Sequence, residues 1–199
     1  MKTDVVTHYD SLIDENNDPF NDPETLKQYM DRWDGKQFIE CLSLNENKTV
    51  LEIGIGTGRI AARVAPYCKS LVGIDISPKT VDRARQNLSD IPNITLILGD
   101  FCNYCFSDFY DVVYSSLTFM HIQNKQKAIG KVYQLLNAKG IFVLSISKGQ
   151  EGFIKYGDRE IEIYPDDLEK TKQYLKTTGF SIRKIIETDA AYILHSEKP

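Results

Sequence analysis

The sequence is poor in cysteine, histidine and tryptophan: four, three and one among 199 residues. Four cysteines do not make a disulfide scaffold at this length, and reduced thiols are the expectation where no secretory signal is visible. Met1 to Asp10 is polar and lacks the apolar segment of a signal peptide. The longest apolar stretches, such as Ile141 to Leu144, are far too short to cross a bilayer, so no membrane partner and a cytoplasmic location are expected. Positive charge is not in excess either. Twenty-four Lys and Arg against 28 Asp and Glu leave a net charge of -4, which gives no electrostatic reason to expect nucleic acid. No internal repeat or low-complexity tract stands out, which disfavours solenoids and propellers. What remains is ordinary globular usage, 42% hydrophobic and 26% charged, enough for one domain with a sizeable core.

Short apolar runs alternate with helical patterns along the chain. Thr49 to Ile55, Leu71 to Ile76, Ile94 to Leu98, Asp111 to Ser115 and Ile141 to Ile146 read as strands. Helices are expected over Gly58 to Cys68, from Ser77 as N-cap to Leu88, and over Lys125 to Leu136, with a turn at Asn137 to Gly140. This order implies parallel strands, right-handed crossovers and an α/β sandwich whose sheet is covered on both faces. The C-terminal part changes character. Gly152 to Tyr164 reads as a β-hairpin, Pro165-Asp166-Asp167 opens a helix that Gly179 closes, and Ser181 to Glu187 with Ala191 to His195 form a last strand pair. In the N-terminal 48 residues, Asp14 to Pro23 reads as a loop and Pro23 to Leu42 as a helix interrupted near Gly35. That region is expected to be a helical cap, either covering a sheet edge or lying as a lid over the site, with residues 49–199 as the main domain.

The most informative segment joins the first strand to the first helix: Val50-Leu-Glu52-Ile-Gly54-Ile-Gly56-Thr-Gly58-Arg59. Glycines there let the chain turn tightly and bring bare backbone against a ligand. The spacing is G-x-G-x-G, with Arg59 where a dinucleotide fingerprint wants its third glycine, and no G-K-[ST] follows. This argues against NAD, FAD and a phosphate-cradling loop. Carboxylates stand at successive strand ends. Asp75 comes 21 residues after Gly54, where an acid can accept both ribose hydroxyls, and Asp100 precedes Phe101. Glu52 lies inside an apolar strand, where a carboxylate is costly unless it meets a partner such as a ligand amine. The set suits a ligand with a ribose, an amine and no phosphate.

With these residues the chain resembles the class I S-adenosylmethionine-dependent methyltransferases of the small, single-domain kind. The stretches VLEIGIGTGR, LVGIDISPKTVDRAR, LILGDF, YDVVYSSLTFMHI and LLNAKGIFVLSI carry the resemblance over residues 49–147. It implies a three-layer Rossmann-like α/β sandwich around a seven-stranded sheet, order 3-2-1-4-5-7-6, with the last strand antiparallel. It also implies S-adenosylmethionine as cofactor. Gly54, Gly56 and Gly58 would pass under its methionine and ribose portions, with Glu52 near the amino group. Asp75 would hold the ribose hydroxyls and Ile76 the adenine face. Asp100 and the Phe101 backbone would meet the adenine edge, and Ser115 and Leu117 would lie beside the methionine and sulfonium.

The acceptor side is less distinct. His121, after the fourth strand, is the candidate general base, with a packing or helix-start role as the alternative. Tyr9, Tyr29 and Trp33 are candidate lid aromatics, since aromatic faces attract sulfonium groups; core packing is the competing reading for Tyr29 and Trp33. Cys102-x-x-Cys105 lacks the further ligands a zinc site needs, so no metal is expected. No D/N-P-P-Y/F tetrapeptide follows the fourth strand and no basic, aromatic-interleaved patch is evident, which favours a small-molecule acceptor over nucleic acid. The hairpin and the N-terminal helix are expected to build its pocket. A non-catalytic S-adenosylmethionine or S-adenosylhomocysteine binder and a protein methyltransferase stay open; a nicotinamide oxidoreductase is opposed by Arg59 and Glu52.

Overall fold

The computed structural model describes residues 2–199. Five parallel strands lead into an antiparallel pair: β2 (Thr49–Ile53), β3 (Ser70–Asp75), β4 (Ile94–Leu98), β5 (Tyr110–Ser116), β6 (Leu136–Ser147), β9 (Ser181–Glu187) and β10 (Ala191–Glu197). Their spatial order is β4-β3-β2-β5-β6-β10-β9, with β10 antiparallel to both neighbours, which is the order the resemblance implies. A separate three-stranded sheet holds β1 (Lys2–Thr3), β8 (Arg159–Glu162) and β7 (Phe153–Tyr156), with β1 parallel to β8. The hairpin of β7 and β8 turns through Gly157-Asp158, as the sequence leads one to expect.

Alternate strand residues feed two cores. Val50, Val112, Tyr114 and Val143 pack with Phe38, Leu42, Ile60 and Val64 on one face. Leu51, Ile53, Val113, Phe142 and Leu144 pack with Ile129, Val132 and Leu175 on the other. Both faces of the sheet are thus buried, which is why its strands are near-continuous apolar runs. Capping residues set the helix ends. Ser77 accepts the Thr80 N–H (3.1 Å) at the start of α5 (Pro78–Asn87), and Asp167 accepts the Lys170 N–H (2.7 Å) at the start of α7 (Leu168–Thr178). Gly179, at φ 109°, ends α7 in the left-handed conformation. The helix α6 spans Lys125–Leu135.

Two expectations need correction, and one helix had no expectation attached to it. The helix after the glycine loop is only α4 (Ala61–Val64) followed by a 3-10 turn at Ala65–Tyr67, because Pro66 removes a backbone donor from the run. Asn137 to Gly140 is not a turn between α6 and a strand starting at Ile141; β6 begins at Leu136 and these four residues bulge opposite Asp111. Asn137 donates to Asp111 Oδ1 at 2.8 Å and Lys139 takes φ 61° there. Finally, the polar N-terminal stretch is helical. The helix α1 (Val5–Asp14) is capped by Asp4, which accepts the Thr7 N–H at 2.9 Å.

The rest of the N-terminal region follows the sequence reading: α2 (Glu24–Asp34) and α3 (Lys36–Cys41) are separated at Gly35. Asp18, buried in the loop between α1 and α2, meets Arg83 (3.1 Å) and Asn87 (3.2 Å) on α5. Asp10 accepts from the Ser77 hydroxyl (2.7 Å), and Arg159 of β8 meets Glu15 at 2.7 Å. The cap is therefore fastened to the main sheet's helices on one side and to the hairpin on the other.

Candidate active site

A cavity of about 580 Å³ opens at the C-terminal ends of β2, β3, β4 and β5. In open parallel sheets this is the edge where ligands bind, and the volume suits a ligand of nucleoside size. Its wall includes Glu52, Gly54, Gly56, Asp75, Ile76, Asp100, Phe101, Leu117, Tyr9 and His121. Thus ten of the residues picked out from the sequence share one hollow.

The three glycines have different local reasons. All take positive φ: 77° at Gly54, 57° at Gly56 and 97° at Gly58. A Cβ on Gly54 would lie 2.0 Å from Thr118 Oγ1, and one on Gly58 would lie 2.6 Å from Leu88. Gly56 has nothing within 4 Å of that position, so its bare backbone faces open space. Gly58 is not part of the cavity wall; it serves the packing of the loop on α5. The Gly56 N–H donates to Asp75 Oδ2 (3.0 Å) and the Ser77 N–H to Asp75 Oδ1 (3.1 Å). Burial pushes the Asp75 carboxyl up from its ordinary value, against these stabilising backbone donors. Asp100 accepts the Cys102 N–H at 2.8 Å, which fixes its carboxylate at the end of β4.

Glu52 is buried, and the Tyr114 hydroxyl donates to its Oε2 at 2.7 Å. Burial drives its pKa well upward, more than Tyr114 and the charge of Arg59 pull it down. The sequence offered no signal for Asp34, the last residue of α2. It is fully buried, lines the cavity, and accepts from Arg59 Nη2 (2.7 Å) and the Ser116 hydroxyl (2.8 Å). Its Oδ1 has no partner. Leu117 is a second feature the residue types conceal. It holds φ 55°, a left-handed conformation costing a branched side chain about 1 kcal/mol, at the point where β5 gives way to the His121 turn.

Tyr9 and His121 come from opposite ends of the chain and meet at 2.9 Å between Tyr9 Oη and His121 Nε2. Burial lowers the His121 pKa to about 4, helped by His8 and Lys125, so the ring is neutral near pH 7. Tyr9 is partly buried, and burial pushes the pKa of its hydroxyl upward, helped by the charge of Asp75. The His121 turn is itself braced: Tyr164 N–H donates to the Met120 carbonyl (2.7 Å), and Lys125 reaches the Phe119 carbonyl (2.6 Å) and Asp166 (2.8 Å).

Other expectations fall outside the cavity. Ser115 is buried in β5, its hydroxyl donating to the Ile53 carbonyl at 2.9 Å; the neighbouring Ser116 lines the wall instead. Tyr29 and Trp33 are not lining residues. Tyr29 is half exposed, and the Arg32 guanidinium lies over both rings at 5.0 and 5.3 Å. The face of α2 that meets the cavity carries Met30 and Asp34, one turn away. The hairpin supplies none of the cavity wall among the described residues; it buttresses α1, with Tyr156 against His8. Gln123, Asn124 and Lys127, unremarked in the sequence, do contribute.

Comparison with known proteins follows this geometry. A family model described as a methyltransferase domain matches residues 51–144. An uncharacterized methyltransferase of Anoxybacillus flavithermus is 30% identical over 174 residues, covering 78% of this chain and 81% of the relative. The chain belongs to the class I S-adenosylmethionine-dependent methyltransferases. Malonyl-[acyl-carrier protein] O-methyltransferase 1 of Ilyobacter polytropus is 33% identical over 98 residues, 48% of this chain, and the match spans only 37% of its length. The solved structure of magnesium protoporphyrin IX methyltransferase from Synechocystis PCC 6803 superposes with a TM-score of 0.78 at 18% identity, over 98% of this chain and 95% of that one. At that identity it speaks for the fold. No helix of this methyltransferase, among the described residues, is long and apolar enough to cross a membrane.

Proposed function

We propose that this methyltransferase transfers a methyl group from S-adenosylmethionine to a small-molecule acceptor presented beside Tyr9 and His121. The observation that carries the reading is the 2.9 Å hydrogen bond between those side chains on the wall that Gly56, Asp75 and Asp100 also line. The residues fit the donor: bare backbone at Gly56, carboxylates at Asp75 and Asp100, and apolar surface at Ile76 and Phe101. In this reading Asp75 takes the ribose hydroxyls, and Ile76, Asp100 and Phe101 take the adenine. Glu52, Gly54 and Gly56 take the amino-acid end, with Leu117 beside the reacting group. When bound, the donor supplies a methyl group already activated by the sulfonium charge.

The chain's own residues then orient the acceptor and exclude water. The cap does the second, through Val5, Tyr9, Pro19 and Met30. With His121 neutral and protonated on Nδ1, the Tyr9 hydroxyl donates to Nε2 and keeps a lone pair for an acceptor O–H or N–H. As the acceptor loses its proton to the Tyr9 oxygen, the Tyr9 proton passes to Nε2. Calorimetric titration with S-adenosylmethionine, S-adenosylhomocysteine and NAD, followed by turnover on a panel of small acceptors, tests the proposal. Binding of the first two and not NAD is expected. Tyr9→Phe and His121→Gln should then lower kcat about 100-fold while leaving S-adenosylhomocysteine affinity almost unchanged. Binding of NAD alone would overturn the donor, and unaltered kcat in both variants would remove the pair from the reaction.

A further inference from the structure

The cap does more than cover the cavity. Strand order lays out its floor: Asp100 at the end of β4, Asp75 at the end of β3, Glu52 and Gly54 at β2, and Ser116 at β5. A donor whose adenine lies at Asp100 and ribose at Asp75 carries its amino-acid end over β2 and β5. There the cap inserts Asp34. This carboxylate is the end of α2, has no exposed surface, and is held through Oδ2 by Arg59 and Ser116. Its Oδ1 faces no donor in the protein. A buried acceptor left unmatched is costly, and a charged one more so. Glu52, the other carboxylate at this end, already has the Tyr114 hydroxyl on Oε2. The Asp34–Arg59 ion pair and the buried Glu52 therefore meet at this end of the cavity, and Asp34 Oδ1 is the carboxylate oxygen left there for a cationic ligand group.

We propose that Asp34 binds the α-ammonium of the methyl donor through Oδ1, making the cap a part of the donor site. This rests on the donor reading above. It also gives the Arg59 side chain, at the third position of a would-be dinucleotide fingerprint, a positioning role: it anchors the Asp34 carboxylate from the glycine loop.

The test is a ligand-by-variant cycle read by calorimetry. The wild-type protein and Asp34→Asn are each titrated with S-adenosylhomocysteine and with its analogue lacking the α-amino group. Wild type should bind the amino-bearing ligand at least about tenfold more tightly, since a charge-assisted hydrogen bond is stronger than a neutral one. In Asp34→Asn that preference should vanish, while affinity for the deaminated analogue stays nearly the same. Asp34→Ser, smaller and also uncharged, should behave alike and serves if the amide disturbs Arg59; thermal unfolding reports whether each variant is folded. Equal affinity of wild type for the two ligands overturns the assignment, as does a preference that survives in folded variants. A wild type that binds neither ligand overturns the donor reading and this inference with it.

Discussion

Exchanging single glycines of the loop for alanine separates the two jobs the loop performs. Gly56→Ala forces an L residue into φ 57° with no atom within 4 Å of the new methyl group. The left-handed conformation costs about 1–2 kcal/mol. For a domain of this size that is a fall in Tm of roughly 2–8 °C. The added methyl projects into the space through which the donor would approach the backbone, so S-adenosylhomocysteine affinity should fall by more than about tenfold, or 1.4 kcal/mol. Gly54→Ala carries the same conformational cost and also places its methyl 2.0 Å from Thr118 Oγ1. Overpacking adds about 1–3 kcal/mol and pushes on the turn that holds His121. Its Tm should therefore fall roughly twice as far. Differential scanning calorimetry gives the Tm values, and isothermal titration gives the affinities of whatever remains folded. Gly56→Ala binding within about threefold of wild type would refute the placement of the donor on this loop. A Gly54 variant no less stable than the Gly56 variant would refute the clash argument.

Tyr114→Phe removes the donor to buried Glu52 and should destabilise the protein by about 1–3 kcal/mol. Because the folded pKa of Glu52 is raised, the native state holds its proton longer than the unfolded chain, so this group's contribution weakens as pH rises above its ordinary value of 4.5. Tyr114 lowers that pKa, so its loss should cost more at pH 8 than at pH 5; urea unfolding at both would show an equal cost if the reasoning is wrong. His121 has the opposite sign. Its folded pKa of about 4 lies below 6.5, so the unfolded chain takes up a proton first on acidification. Between pH 7 and 5 this should drain about 2 kcal/mol of stability, which His121→Gln should not lose; an identical acid profile in the variant would contradict it.

Most of the sheet was legible because its signals are local. Val50, Leu51 and Ile53, or Phe142 and Leu144, are apolar on both faces over a few residues, and Ser77-Pro78 and Gly179 announce helix ends in two or three. The glycine loop and the acids at strand ends were legible for the same reason: each is fixed by a turn that its own residues define. The helix α4 was overextended because apolar spacing outweighed a single Pro66 in the reading, whereas in the chain one missing donor ends the run. The α1 helix was missed because its apolar face, with Val5, Tyr9 and Leu12, is interrupted by polar residues that in the fold are spent on contacts. His8 is buried against Tyr156, and Asp10 holds Ser77.

The site's remaining half was hidden by sequence distance rather than by weak chemistry. Asp34 sits in a stretch, Asp31-Arg32-Trp33-Asp34, that reads as a solvated helix end; what buries it is Arg59 and Ser116, 25 and 82 residues away. Tyr9 and His121 are 112 residues apart and carry no shared motif. Tyr29 and Trp33 stood out as candidates beside a core-packing reading because aromatic rings are conspicuous on a helical wheel, yet it is the less conspicuous Met30 and Asp34 that α2 turns to the cavity. In the proposed site the donor lies on strand ends, which the sheet orders and which can be located from the strands alone. The proposed acceptor side, and Asp34 with it, comes from the N-terminal helices that cross those ends, and only the fold brings the two together. Tyr9, Met30 and Asp34 all lie on those helices, so changing them would reshape the cavity without disturbing a strand of the seven-stranded sheet.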